Sequence, residues 1–295
     1  MKILMMIPVW HRPEIVEMFI GNLRRTPCDY AEVIPYFVLS PDDYDYHTLT
    51  DLTEGFNRTY IVNTPLGHKK NEGLQKALSL EWDYYMDMGS DDIFTDLLWD
   101  FLKPHLLAGE EYFGILNTYS FNPYLNKAVF LKDYHVNWND EVTAQGQGRC
   151  IRRDVVENCV PLWDDKAPFG MDGHSDLKIT NKGYTCGLID TGLQPVVCQV
   201  KSNICLTCWE QFDDMSEPAD ADWVREQFGL RDKCCYNLKD FQDFHQAVLK
   251  VSNETENKEQ AFNLMNEAHK LQTGEQRYSS YDSYKNVVSH KHKKQ

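Results

Sequence analysis

Asp91 and Asp92 stand side by side in "YYMDMGSDDIFTD" (Tyr84 to Asp96), after an apolar, aromatic run and a Gly-Ser break. Two ionised carboxylates at the end of a buried strand repel each other and lose hydration, so they need a positive partner. Three other short stretches carry matching chemistry. "PVWHRP" holds Pro8, the Trp10 ring and the Arg12 cation; "SPDD" holds Asp42 and Asp43; "NTPLGHKKN" holds His68, Lys69, Lys70 and Asn71. A nucleoside diphosphate needs a stacking surface for its base, acceptors for base or ribose, and positive charge for its phosphates. It often also needs a divalent cation held by one or two carboxylates. On this reading the partner of Asp91 and Asp92 is Mn²⁺ or Mg²⁺ bridging the diphosphate. Each stretch also has a plain structural reading. The acidic pair suits a helix cap, Asp42-Asp43 a turn after Pro41, Trp10 packing, and the His-Lys-Lys run a solvated helix start. Basic residues at a helix start oppose its dipole, which favours a bound anion there.

These residues sit at the ends of elements that the sequence outlines. "KILMMIPVW" is a continuous apolar run that suits a central parallel strand covered on both faces. "EVIPYFVLS", "RTYIVNTP" and "WDYYMDM" are three further strands. Between them, "HRPEIVEMFIGNLRR" has Pro13 in its first turn and an apolar stripe at Ile15, Met18, Phe19, Ile20 and Leu23. "KKNEGLQKALSLE" and "TDLLWDFLKPHLL" are the next helices, the latter with Thr95 as N-cap and Pro104 bending or ending it. Alternating strands and helices imply an α/β fold with a mainly parallel sheet and right-handed crossovers. In such sheets ligands bind beyond the carboxyl ends of the strands, where all four stretches fall.

After about residue 112 the pattern turns mixed, with strands in "YFGILNTYSF", "KAVFLKDYHVNW", "GYTCGLIDTG" and "PVVCQVKS" and a helix in "GRCIRRDVVENC". The reading is thus a domain over 1–209, split into a nucleotide-binding half (1–110) and an acceptor-side half (111–209). Residues 210–295 form a helical extension with a basic tail, "SHKHKKQ".

The chain has 295 residues and a formal charge of −15, which disfavours coating nucleic acid or anionic membrane by bulk charge. A local basic groove remains open. No stretch approaches the ~20 apolar residues of a membrane span, and no signal peptide is evident. Nine irregularly spaced cysteines fit a reduced cytoplasmic setting (the host cytoplasm for a viral enzyme). The lone Cys-x-x-Cys at Cys205–Cys208 is half of a paired zinc pattern, with Cys234-Cys235 its nearest complement.

In family order, five segments resemble a GT-A-fold glycosyltransferase of the family 2 type: "IPVWHRP", "PDD", "GHKKNEGLQKAL", "YYMDMGSDDIF" and "FGMDGHSDLKITNKGY". The resemblance covers roughly residues 1 to 205. It implies a nucleotide-sugar donor, with a UDP-sugar favoured, and inverting transfer to an acceptor hydroxyl. Pro8, Trp10, Arg12, Asp42, Asp43, His68, Lys70, Asn71 and Asp91 would line the donor site, and Asp91 and Asp92 would hold the metal. Asp172 would be the catalytic base, with His174 and Asp176 on the acceptor side.

The sequence departs from the pattern in three places. Gly89 and Ser90 precede Asp91 where Asp-any-Asp is usual, and Met171 stands where an acid often precedes the base. Lys201 stands near where a third metal ligand is expected and would neutralise phosphate instead. The acceptor is a polysaccharide precursor, another saccharide, a protein or a hydroxymethylated DNA base. The acidic helices would shape the acceptor side or a homo-oligomer contact. A nucleotidyltransferase shares the need for nucleotide and metal, but no Gly-rich phosphate loop follows the first strand. A non-catalytic nucleotide-sugar-binding module is the other alternative, favoured by Gly89 and Met171.

Overall fold

β1 (Lys2–Pro8) has five fully buried central residues, Ile3 to Ile7. Successive strand side chains point to opposite faces, so Ile3, Met5 and Ile7 enter one core and Leu4 and Met6 the other. Each such side chain contributes about 1.5–3 kcal/mol when buried. The structure, a computed structural model, describes residues 1–43, 45–63, 65–123, 125–132, 142–166, 170–201, 209 and 216–231. They belong to one compact unit, Met1–Ser202 with Thr207–Cys235.

β1 pairs in parallel with β2 (Glu32–Leu39) and with β4 (Tyr84–Asp87), and β2 pairs in parallel with β3 (Asn57–Tyr60). With β6 (Tyr112–Ile115), β9 (Cys150–Arg152) and β10 (Gly187–Ile189) they make a seven-stranded sheet of order β10-β6-β9-β4-β1-β2-β3. β9 runs antiparallel to both β4 and β6, while β6 and β10 are parallel. The expected mainly parallel sheet flanked by helices is therefore present.

One core packs α1 (Pro13–Arg25), α2 (Tyr46–Leu52) and α4 (Leu97–Ala108) against the sheet; the other packs α3 (Leu66–Ala77), α5 (Arg153–Cys159) and α6 (Met171–Thr180). A second, mixed sheet has the order β12-β8-β7-β11-β5, from β5 (Asp92–Phe94), β7 (Thr118–Asn122), β8 (Lys127–Leu131), β11 (Val197–Val200) and β12 (Glu217–Ala219). β12 pairs with β8. It leads into α7 (Ala221–Phe228), whose Val224 and Phe228 join the first core. The rest of the expected helical extension, with "LKDFQDFHQAVLKVS", "NKEQAFNLMNEAHKLQ" and the basic tail, lies outside the described residues, as do Cys205–Cys208 and Cys234-Cys235. Among the described residues no helix is long and apolar enough to cross a membrane.

Several local expectations are corrected. "GRCIRRDVVENC" opens with strand β9, and its helix begins only at Arg153. Cys150 and Ile151 are buried between β4 and β6, and that packing overrides the helical pattern. Thr95 is not the N-cap of α4: Asp96 holds that position, and the Thr95 hydroxyl donates to Pro195 O at 2.7 Å. α4 also runs on through Pro104 to Ala108.

Candidate functional site

β1 and β4 are neighbours, yet β1 continues in the chain to β2 on its other side. The strand order thus reverses at their carboxyl ends, the position at which open α/β sheets bind ligands. A shallow groove of about 450 Å³ beside Lys2, Phe56 and Leu80 lies at the opposite, amino edge. Beyond β1 the chain turns through His11 and Arg12, both left-handed (φ 55° and 63°). Such residues cost of order 1–3 kcal/mol each. Asp43 holds this turn: its carboxylate accepts from His11 N at 2.7 Å and Asp45 N at 2.8 Å, and its Oδ1 lies 2.7 Å from His11 Nδ1. Burial opposes its ionisation, but the hydrogen bonds from His11 and Asp45 outweigh it and hold the carboxyl below its usual range. His11, Asp43 and Asp45 do place ligand atoms within 4.8 Å of one another. The carboxylate of Asp43 is nonetheless already engaged in bracing its loop. Asp43→Ala, which leaves buried donors unsatisfied, is expected to destabilise the fold by about 1–3 kcal/mol in urea unfolding. Asp42 is exposed and accepts from Asn63 N at 2.8 Å.

Asp91 lies between β4 and β5. Arg12 Nη1 donates to Asp91 Oδ2 at 3.2 Å and Arg12 Nη2 to Ser90 Oγ at 3.3 Å, while Lys201 Nζ lies 3.9 Å from the same Oδ2. Burial opposes ionisation of Asp91, but Arg12 and then Lys201 outweigh it and hold the carboxyl below the usual range. Asp92 is not a helix cap. It opens β5, pairs with Gln199 of β11 and is buried. Burial first, and the charge of Asp91 second, push its carboxyl well above the usual range. Gly89 N donates to Asp92 Oδ2 at 2.5 Å, and a Cβ at this position would lie 2.8 Å from both Asp91 Oδ1 and Asp92 Oδ2. Both oxygens therefore face one point, and the fixed positive partners of the pair are Arg12 and Lys201.

The His-Lys-Lys run is not a solvated helix face. Lys69 is buried and donates to Val9 O and Ser40 Oγ, both at 2.6 Å, with Nζ 5.7 Å from the centre of the Trp10 ring. It thereby ties the ends of β1 and β2 together. Lys70 is buried against Asp87 of β4, with Nζ 2.8 Å from Oδ1, and stands 4.4 Å from the Trp163 ring centre. Asn71 donates to Trp163 O at 2.8 Å and to Asp165 Oδ1 at 2.7 Å, and His68 Nδ1 lies 3.7 Å from the same Oδ1. Pro8 ends β1. The structure thus gathers Arg12, Asp91 and Lys201 at one point and engages Asp43, Lys70 and Asn71 within the protein.

Asp172 lies in the first turn of α6, whose N-cap is Gly170. Its carboxylate packs on Gly146: a Cβ there would lie 2.2 Å from Oδ1. Arg149, fully buried, donates to Asp172 O at 2.8 Å, Ser175 Oγ at 2.9 Å, Gln145 O at 3.3 Å, and Ala144 O. Asp176, a turn along α6, accepts from Tyr112 OH at 2.7 Å. The His174 amide donates to Gly170 O at 3.1 Å.

Sequence reasoning missed His11, Asp87, Gly146 and Arg149, and it did not foresee the burial of Lys69. The glycines in "AQGQGRC" were the available signal for a tight turn at Gly146. The three arginines of "GRCIRR" are all engaged within the protein. Arg149 is buried, Arg152 pairs with Glu111 and Asp154, and Arg153 with Glu157.

No family model matches the chain, nor does any curated protein. Among solved structures it is similar to S. aureus TarS residues 1–349 in complex with UDP, at 11% identity and a TM-score of 0.48 over 98% of this chain and 79% of that one. A longer S. aureus TarS structure is similar at 11% identity and a TM-score of 0.46 over 90% of this chain, which spans 42% of the TarS chain. A 4-diphosphocytidyl-2C-methyl-D-erythritol synthase is similar at 13% identity and a TM-score of 0.45, over 69% of this chain and 95% of that one. Likenesses at these identities and scores assign neither a family nor an activity, so the reading of the site rests on its own chemistry.

Proposed function

We propose that the chain is a glycosyltransferase of the GT-A type, moving a sugar from a nucleotide-sugar donor, with a UDP-sugar favoured, to an acceptor hydroxyl. The observation that carries this is the meeting of Arg12, Lys201, Asp91 and Asp92 where the strand order reverses. Arg12 and Lys201 would turn from the carboxylate of Asp91 to the donor diphosphate, whose two negative charges match their two positive ones. Asp91 Oδ1 and Asp92 Oδ2 converge beside Gly89, whose amide donates to Asp92 Oδ2 at 2.5 Å, and the two carboxylates together suit a divalent cation. Mn²⁺ or Mg²⁺ bound there would stabilise the leaving diphosphate, an effect of about several kcal/mol. Trp10 offers a ring for the base, and Asp42, the exposed carboxylate after β2, offers an acceptor.

In the reaction the bond from the anomeric carbon to the diphosphate oxygen breaks and a bond from the acceptor oxygen forms. The acceptor proton passes to the carboxylate of Asp172. One base opposite the leaving group implies inversion at the anomeric carbon, which NMR of the product reads directly. The acceptor classes stay as above: a saccharide, a protein or a modified DNA base. A thermal-shift panel of UDP-, GDP-, CDP- and dTDP-sugars with Mn²⁺ tests the donor class. A donor at 100 times its dissociation constant is expected to add about 2.7 kcal/mol of stability, and UDP release should follow. Pyrophosphate release from a nucleoside triphosphate, with no response to any sugar nucleotide, would replace this reading with nucleotidyl transfer.

A further inference from the structure

We infer that Gly146 is a positioning residue for Asp172, its bare Cα being the seat that sets where the base carboxylate stands; this rests on the glycosyltransferase reading above. A Cβ at Gly146 would lie 2.2 Å from Asp172 Oδ1, 2.7 Å from Cγ and 2.9 Å from Oδ2. The whole carboxylate thus lies against this one position. The backbone of Gly146 is outside the left-handed region, so its own conformation admits alanine. What a side chain there would displace is the carboxylate at the free end of Asp172.

The seat is rigid on both sides. Gly146 O accepts from Arg149 N at 3.1 Å, closing the turn. The buried guanidinium of Arg149 then reaches across to Asp172 O and Ser175 Oγ in the first turn of α6. The same turn is fastened to β4: Gly148 N donates to Asp87 O at 2.9 Å, and Asp87 N donates to Arg149 O at 3.0 Å. Four residues after Asp87 the chain reaches Asp91. One short turn therefore links the carboxylates assigned to the metal with the carboxylate assigned to the acceptor proton. A base moved by about 1 Å can cost on the order of 100-fold in rate, and a methyl group at Gly146 forces a move of that order.

The experiment compares wild type, Gly146→Ala, Asp172→Asn and the double variant. The readouts are UDP release from UDP-sugars with Mn²⁺ and the dissociation constant of the donor. Gly146→Ala is expected to lower kcat by about 100-fold or more, with donor affinity within about twofold of wild type. Added to Asp172→Asn it should lower kcat no further, because the group it displaces is already disabled. A second arm needs no turnover. Whatever Tm is lost on Gly146→Ala should be smaller in an Asp172→Gly background, where the carboxylate it meets is gone. If Gly146→Ala alone does not fold, recovery of folded protein by Asp172→Gly answers the same question.

Near-normal kcat for Gly146→Ala beside an inactive Asp172→Asn would overturn the inference while leaving the base in place. An equal Tm loss in both backgrounds would also overturn it. Near-normal kcat for Asp172→Asn would remove the base assignment and this inference together.

Discussion

Asp172→Asn is expected to lower turnover by about 10² to 10⁴-fold, the range typical of a lost general base. Donor affinity should change little, because a group acting on the acceptor proton is needed chiefly in the transition state. The substitution keeps the shape of the side chain and removes its charge, so the contact with Gly146 is retained in size. The fastening of this turn also survives, since Arg149 bonds the backbone carbonyl of Asp172 rather than its carboxylate. Turnover and donor dissociation constant should be measured on one preparation. Near-normal turnover would take Asp172 out of the mechanism and bring Asp176 forward, although its carboxylate already accepts from Tyr112 OH. A large loss of donor affinity with unchanged turnover at saturation would make Asp172 a donor-sugar or metal contact instead.

The alternation that defines the fold was legible because β1, β2 and β4 are short apolar runs and α1 has a strong apolar stripe. Burial on both faces of a central strand leaves a signal in one segment alone. The elements that were missed depend on partners far along the chain. β5 has three residues and forms because β11, some hundred positions later, offers a strand edge to Asp92, Ile93 and Phe94. β9 is likewise three residues inserted between β4 and β6. No local periodicity announces strands of that length.

The same distinction runs through the site. Acidic residues at strand ends could be found from sequence, but their partners could not. Arg12 reaches Asp91 because two consecutive left-handed residues turn the chain sharply after β1, and nothing in "VWHRP" other than Pro13 marks that turn. Lys69 and Lys70 looked like solvated or phosphate-facing cations. Their burial follows from the position of α3 against the ends of β1, β2 and β4, which supply Val9 O, Ser40 and Asp87 as acceptors.

Asp92→Ala is expected to abolish the Mn²⁺-dependent part of the stabilisation that UDP confers. With UDP at 100 times its dissociation constant that stabilisation is about 2.7 kcal/mol. Asp92 is buried beside Asp91, and both burial and that neighbouring charge raise its carboxyl pKa in the folded, metal-free protein. The unfolded carboxyl titrates near 3.9. A raised folded value means that the stability linked to Asp92 is present below about pH 3.9 and declines as pH rises through the folded value. A cation held by Asp91 and Asp92 would need Asp92 ionised, so its binding would strengthen with pH over the same window. Asp91 behaves oppositely. Arg12 and Lys201 lower its value, so its contribution is present above about pH 3.9 and lost as pH falls through its lowered value. The measurement is Tm against pH for wild type and Asp92→Ala, each with UDP, with and without Mn²⁺. The variant should lose both the Mn²⁺ increment and its rise with pH. Equal stabilisation of wild type by UDP in the presence of chelator would sink the metal role, and Arg12 and Lys201 would then carry the diphosphate by themselves.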